Sequence, residues 1–203
     1  MNDEQQKVIL LDPVVLYIIN QHIEAQKANH SKEYDNDDLE VRQNEYSLQG
    51  NICFDKLNEL VGSDHAIFLI SDVVKLKSII SLADGTDQSS NAFERWSNII
   101  DELKSEGYNI QSVETYEEGA LKDILNYYIP ILFWKLRSLN SNEALDGEEI
   151  YQYACALKYK VSHLFLDEDF ANRLEKIQEQ FLPSLVGDDG ISDLKFLPKI
   201  VKC

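Results

Sequence analysis

Basic residues are scarce in this sequence. Only 19 of its 203 residues are lysine or arginine, against 36 aspartates and glutamates, so the formal net charge is -17. Phosphate groups repel a chain of this charge, which opposes non-specific binding to nucleic acid. The composition remains compatible with a local basic groove.

Cysteine is scarce as well. The three cysteines, Cys53, Cys155 and Cys203, are an odd number with no paired spacing, so the sequence predicts neither a disulfide framework nor a zinc site. A reducing compartment, the cytoplasm, is the expected location, and the first residues lack the basic start and long apolar run of a signal peptide. Cys155 lies in an alanine-rich stretch and is expected in the core.

Long apolar runs are also missing from the sequence. No stretch reaches the ~18 uncharged apolar residues of a membrane span, so no contact with a membrane is predicted. The apolar fraction of 44% is nevertheless ample for a folded core. We expect residues 1–203 to form a single domain. Residues 27–49, which are acidic and poor in aliphatic side chains, are expected to be an exposed loop or insertion.

Short apolar runs alternate with stretches of helical spacing. Strands are predicted over 8–11, 66–70, 108–113, 161–166 and 194–201, and helices over 14–23, 54–60, 71–82, 93–103, 115–139, 148–159 and 172–181. Residues 83–91 are predicted to be a loop, Pro130 a kink or break, and Thr115 with Glu118 a capping box. Strands alternating with helices indicate an α/β fold with three α/β/α layers and a mostly parallel central sheet.

Two aspartates directly follow predicted buried strands. Asp12 comes after the run 8–11, and Asp167 comes after the run 161–166. In open α/β sheets, ligands bind beyond the carboxyl ends of the strands, and clustered carboxylate oxygens suit a hard divalent cation. The alternative for each residue is a helix cap, because aspartate is a common N-cap.

Three stretches of the chain resemble the PIN-domain family. Residues 8–19, VILLDPVVLYII, are similar to the family's opening strand, acidic residue and apolar helix. Residues 66–80, AIFLISDVVKLKSII, resemble its strand that ends in serine before a helix. Residues 147–170, GEEIYQYACALKYKVSHLFLDEDF, resemble its alanine-rich helix led by an acid and the following strand that ends in Asp-x-Asp-Phe.

This resemblance implies a PIN-like fold and a metal-dependent ribonuclease activity. Asp12, Glu149 and Asp167 would be the catalytic and metal-binding acids, with Asp169 as an outer partner, and the metal would be Mg²⁺ or Mn²⁺. In that family the metal activates water for attack on a phosphodiester and neutralises charge on the phosphoryl group. The partner that this activity implies is RNA.

The chain also departs from the family's pattern. Lys77 stands where the family has an acid, and Glu149 stands where it usually has aspartate; Asp72 and Asp84 would replace the missing acid only in another register. An ammonium beside carboxylates stabilises their charge, so a metal would be bound weakly. Two functions stay open: a nuclease that cleaves RNA, and a catalytically degenerate PIN-like module that acts by contact with a protein partner.

Overall fold

The protein is built around a five-stranded parallel sheet. The computed structural model describes residues 7–13, 15, 16, 19, 53–59, 66–71, 89–136, 144–185 and 197–203. The strands are β1 (Val8–Leu11), β2 (Ile67–Ile70), β3 (Ile110–Ser112), β4 (His163–Leu166) and β5 (Lys199–Lys202). They lie in the order β3-β2-β1-β4-β5, and each neighbouring pair is parallel. The predicted α/β class is confirmed.

Helices separate the strands along the chain. They are α1 (Ser89–Ser105), α2 (Val113–Tyr116), α3 (Ala120–Asp123), α4 (Ile129–Leu136), α5 (Gly147–Lys158) and α6 (Glu168–Leu185). Residues 53–59 and the described residues between 13 and 19 are helical as well, as the sequence predicted. None of the described helices combines the length and apolar character needed to cross a membrane.

The three central strands, β1, β2 and β4, bury both of their faces. Leu10, Leu69 and Leu164 point into a core cluster that also contains the buried residues of α5. Ile9, Phe68 and Phe165 point the opposite way, into a second cluster, because successive side chains of a strand alternate between the faces of a sheet. Cores on both sides of the sheet confirm the three-layer arrangement and explain why the strands are continuous apolar runs.

The strand order reverses beside β1. From β1 the chain proceeds outward through β2 to β3, then returns to the other side of β1 as β4 and ends the sheet with β5. In doubly wound sheets, such a reversal opens a crevice beyond the carboxyl ends of the two strands that flank it. Those strands here are β1 and β4, paired in the register Leu10↔Leu164. The residues that follow Leu11 and Leu166 therefore border the crevice.

The helical segment 120–136 contains a turn of π-helix at Ile124–Tyr128. The sequence predicted a kink or break at Pro130, whereas the irregular turn lies just before it. The π turn resets the hydrogen-bond register of the helix, so Pro130 falls in the first turn of α4. Its missing N–H costs little at that position.

Two local predictions were wrong. α1 begins at Ser89, inside the predicted loop 83–91, because small polar residues that favour loops also suit the first turn of a helix. Thr115 and Glu118 form no capping box, since Thr115 lies within α2. The residue before α3 is Gly119, with a φ of 83° that glycine adopts at little cost.

The expectation that the cysteines are unpaired was also wrong. Cys53, at the start of helical residues 53–59, forms a disulfide with Cys203, which follows β5; their Cα atoms are 5.1 Å apart and 150 residues separate them. Pairing at such a separation is a property of the tertiary fold and leaves no mark in local spacing. Cys155 is the remaining free cysteine, and it is buried as predicted.

Replacing Cys203 with serine is expected to lower the free energy of unfolding. The bridge closes a loop of 150 residues, and losing such a constraint on the unfolded chain typically costs between about 2 and 5 kcal/mol. Urea unfolding of the oxidised wild type, the reduced wild type and the Cys203→Ser variant measures the effect. The reduced wild type should match the variant, and equal midpoints for all three would contradict the prediction.

Candidate active site at the carboxyl edge of the sheet

Asp12 lies at the carboxyl end of the central strand. Its N–H donates to the carbonyl of Phe165 at 2.9 Å, which extends the pairing of β1 with β4 by one residue. The side chain is only 5% exposed. Its Oδ2 accepts a hydrogen bond from Nε2 of Gln152 at 2.8 Å. A buried carboxylate needs such a donor, because removal from water without one is costly.

Gln152 leaves a hydrogen-bond acceptor unused at the same place. Its side chain is 4% exposed, and its Oε1 is buried without a hydrogen-bond partner. Exchanging the two amide atoms would not remove the problem, since Oε1 would then face the carboxylate of Asp12. Buried acceptors are nearly always satisfied in folded proteins. The orphaned oxygen beside Asp12 therefore marks a position where a donor or a cation fits.

Glu149 has two protein partners. It is the third residue of α5, and it forms a capping box with Asp146: the N–H of Asp146 donates to Oε2 of Glu149 at 2.9 Å, and Asp146 in turn accepts from the N–H of Glu149. Its other oxygen forms an ion pair with Nη2 of Arg173 on α6. This pair is partly buried, with 11% of the Glu149 side chain and 31% of the Arg173 side chain exposed.

Asp167 is the N-cap of α6. Its Oδ1 accepts from the N–H groups of Asp169 and Phe170 at 3.0 and 3.1 Å. Asp167 is therefore a helix cap, which was the alternative interpretation of this residue in the sequence. Asp169 lies in the first turn of the same helix and is exposed, where a negative charge is favourable near the helix N-terminus.

The predicted acids lie along one edge of the sheet. Asp12 and Asp167 follow the adjacent strands β1 and β4, and Glu149 is one helical turn before Gln152, which contacts Asp12. We call Asp12, Glu149, Gln152, Asp167 and Arg173 the carboxyl-edge site. Within the described part of the chain, no three His, Cys, Asp or Glu side chains are grouped closely enough to hold a metal ion by themselves.

Sequence reasoning missed a further acid at this edge. Glu114, in α2, accepts hydrogen bonds from Ser71 at 2.8 Å and from Tyr151 at 3.1 Å through Oε1, and from Ser112 at 2.8 Å through Oε2. Ser71 directly follows β2 and Ser112 ends β3. The only sequence signal was that Glu114 comes two residues after the end of a strand.

The groups beside Glu114 are held in their neutral forms. Burial, with smaller effects of Cys155 and Glu114, raises the pKa of Tyr151 well above its usual range. Burial likewise raises the pKa of Cys155. Tyr151 therefore remains a hydrogen-bond donor at neutral pH, and Cys155 is a thiol without the thiolate character that a nucleophile requires.

The remaining predicted features lie outside the described residues. Lys77, Asp72 and Asp84 belong to this group, as does the acidic segment 27–49. Arg173 was not predicted, and it supplies a positive charge to the site from a different helix. Only the fold brings it to Glu149, because 24 residues separate the two along the chain.

The ion pair between Arg173 and Glu149 can be tested by a double-mutant cycle. Glu149→Gln keeps the capping box, which accepts glutamine as well as glutamate, and removes only the charge. We expect Glu149→Gln and Arg173→Met each to destabilise the protein by about 1–2 kcal/mol, because each leaves a partly buried charge without its partner. The double variant should lose less than the sum, as measured by urea unfolding. Strict additivity would show that the two side chains do not interact.

No protein-family model, no curated protein and no solved structure matches the chain. The candidate site is therefore defined by its own contacts. These are the buried pair of Asp12 and Gln152, the ion pair of Arg173 and Glu149, the helix cap at Asp167 and the hydroxyl-bound carboxylate of Glu114.

Proposed function

We propose that the chain is a PIN-like, metal-dependent ribonuclease that binds its cation weakly. The observation that carries this proposal is the buried, unpartnered Oε1 of Gln152 next to the carboxylate of Asp12. A carboxylate and an amide carbonyl are both oxygen ligands, which Mg²⁺ and Mn²⁺ prefer. Their place beside β1 and β4, where the strand order reverses, is the usual position of a ligand site in this class of sheet.

The residues present fit a divalent cation in part. Asp12, Gln152 and Glu149 would hold it, and Asp167 with Asp169 would contribute negative charge from the start of α6. A bound Mg²⁺ or Mn²⁺ supplies a polarised water and charge neutralisation for attack on a phosphodiester. Glu149 has both oxygens engaged by the protein, so it must give up a contact before it can act as a ligand.

Arg173 accounts for the weakness of the proposed cation binding. Its guanidinium already forms an ion pair with Glu149, so a cation at this carboxylate must compete with a positive charge that is already there. The same group has a further use when RNA is bound, because guanidinium groups bind phosphate oxygens well. We therefore assign Arg173 two alternating partners, Glu149 in the free protein and a phosphate of the RNA in the complex.

Titration with Mn²⁺ tests this function. Wild type should bind weakly, Asp12→Asn should not bind, and Arg173→Met should bind at least about tenfold more tightly, since removing a competing unit charge at a partly exposed site is worth more than 1.4 kcal/mol. Asp101→Asn, at an exposed position of α1, is the matched control and should behave as wild type. Calorimetry gives the affinities, and a labelled single-stranded RNA reports cleavage.

Two results would overturn the proposal. The first is equal Mn²⁺ affinity of wild type and Asp12→Asn, because the cation would then bind elsewhere. The second is the absence of Mn²⁺ binding and RNA cleavage in both wild type and Arg173→Met. That result would leave the other function considered for this chain, a PIN-like module that works by protein contact.

An exposed apolar surface favours this second function. Five large side chains of the helical segment 120–136 are between 40% and 55% exposed: Leu121, Leu125, Tyr127, Phe133 and Trp134. The buried stripe of the same segment recurs every fourth residue from Ala120 to Leu136, and the exposed side chains lie outside that stripe. Grouped exposed apolar residues are typical of surfaces that contact a partner.

The native protein is therefore expected to bind the hydrophobic dye ANS at this surface. Replacing Phe133 and Trp134 together with glutamate should reduce the dye fluorescence and leave the unfolding midpoint within error, because exposed side chains contribute little to the core. Asn126→Glu, at an exposed polar position of the same segment, is the control for the added charge. Fluorescence unchanged by the double replacement would remove the argument for a contact surface.

A further inference from the structure

A cleft with several lysines opens at the β4–β5 end of the sheet. Its volume is about 430 Å³, and it lies beside strands at the sheet edge rather than beside Asp12. We call it the lysine cleft. It is lined by Lys56, Glu59, His163, Phe165, Glu175, Lys199, Ile200, Val201 and Lys202.

The floor and wall of the lysine cleft come from different elements. His163 and Phe165 of β4 pair in register with Lys199 and Val201 of β5, so the side chains of all four lie on one face of the sheet. Helical residues 53–59 form the wall and contribute Lys56. The wall is fixed to β5 twice, by the Cys53–Cys203 disulfide and by a hydrogen bond from Nζ of Lys56 to the carbonyl of Lys202 at 2.9 Å.

The lysine cleft carries an excess of positive charge, in contrast to the chain as a whole. Lys202 is neutralised, because its Nζ lies 2.7 Å from Glu175 and also donates to Asn172. Lys56 donates to a carbonyl oxygen, which carries no net charge. In the described part of the chain, neither Lys56 nor Lys199 has a carboxylate within ion-pair distance. Two lysines thus face one exposed acid of the wall, Glu59, in a protein whose net charge is -17.

His163 reports the sign of the local potential. Burial lowers its pKa, and the nearby charges of Lys199 and Lys7 lower it further. The imidazole is therefore neutral at neutral pH, and its Nδ1 is hydrogen-bonded to the hydroxyl of Ser162 at 3.0 Å. The carboxylates Glu59 and Glu175 also line the cleft, yet the positive charges dominate at the ring. An anion placed in the cleft would be attracted by these positive charges.

We propose that the lysine cleft binds the phosphate group of a nucleotide, with Lys56 and Lys199 as its charged contacts. Lysine is a compact point charge that suits phosphate, and a cleft of about 430 Å³ is large enough for a small ligand. Val201, on the same face of the sheet as Lys199, provides apolar surface beside the two charges. The nucleotide is either free or the phosphorylated end of an RNA strand; both present the same group.

The lysine cleft does not use any residue of the carboxyl-edge site. Asp12 and Glu149 do not line it, and the proposal holds whether or not the chain cleaves RNA. If the chain does cleave RNA, the cleft adds a local positive surface to an acidic molecule. Such a surface raises the rate of association with a negatively charged strand. The two proposals can therefore fail separately.

The proposal is tested by measuring the binding of three ligands: adenosine monophosphate, a 5′-phosphorylated RNA tetranucleotide and adenosine. Calorimetry at low salt measures affinity, and the ring signals of His163 in NMR spectra locate the ligand. Lys199→Glu, at an exposed position of β5, should weaken phosphate binding at least about tenfold, since it reverses a unit charge at the ligand; its unfolding midpoint verifies that it folds. Lys56→Glu should do the same, and its unfolding midpoint verifies that it folds.

Lys104→Glu is the matched control. It makes the same change in net charge at an exposed position of α1, the helix that packs at β3 on the opposite edge of the sheet, and it should bind as wild type does. Binding of the monophosphate identifies a free nucleotide as sufficient, whereas binding of the phosphorylated tetranucleotide alone identifies a strand end. Equal binding of adenosine, equal weakening by Lys104→Glu, or no binding of either phosphate would overturn the proposal. Mn²⁺ titration of Lys199→Glu should remain unchanged.

Discussion

The pairing of β1 with strands on both of its sides is the constraint on which the rest of the structure depends. Because β2 and β4 flank it, its backbone is fully paired and both of its faces face apolar cores. The first polar side chain after such a strand cannot reach bulk water easily. Asp12 is therefore buried, and the fold must supply it with a donor, which is Gln152.

The same need for donors organises the whole carboxyl edge. Its acids are matched by neutral or cationic groups from other elements: an amide for Asp12, a guanidinium for Glu149, backbone N–H groups for Asp167 and three hydroxyls for Glu114. Such partners satisfy the oxygens of acids that the fold removes, wholly or in part, from water. Among the described residues of this edge, one acceptor, Oε1 of Gln152, and one donor, Nε of Arg173, are buried without a partner, which distinguishes the edge from a purely structural polar network.

The sequence predicted the features that local chemistry determines. Apolar runs such as 8–11 and 66–70 indicated buried strands, and the residues after them indicated where the edge of the sheet lies. Arg173 beside Glu149, the unused oxygen of Gln152 and the bridge from Cys53 depend on packing between distant segments, so no local pattern contained them. The sequence also contains a signal for the capping box of Asp146 and Glu149, namely an acid three residues after an aspartate. The PIN-like pattern led instead to the interpretation of Glu149 as a metal ligand.

The Cys53–Cys203 bridge joins four of the five strands in one covalent ring and leaves out β1, although hydrogen bonds connect all five strands. The covalent ring that it closes contains β2, β3, β4 and β5, while β1 precedes the ring along the chain and yet occupies the centre of the sheet. Under a pulling force applied ahead of Lys7, the central strand is restrained only by non-covalent contacts. A force applied between Cys53 and Cys203 is instead carried by the bridge, so the segment between them is shielded from extension. Mechanically, the middle of the sheet is its least tethered part.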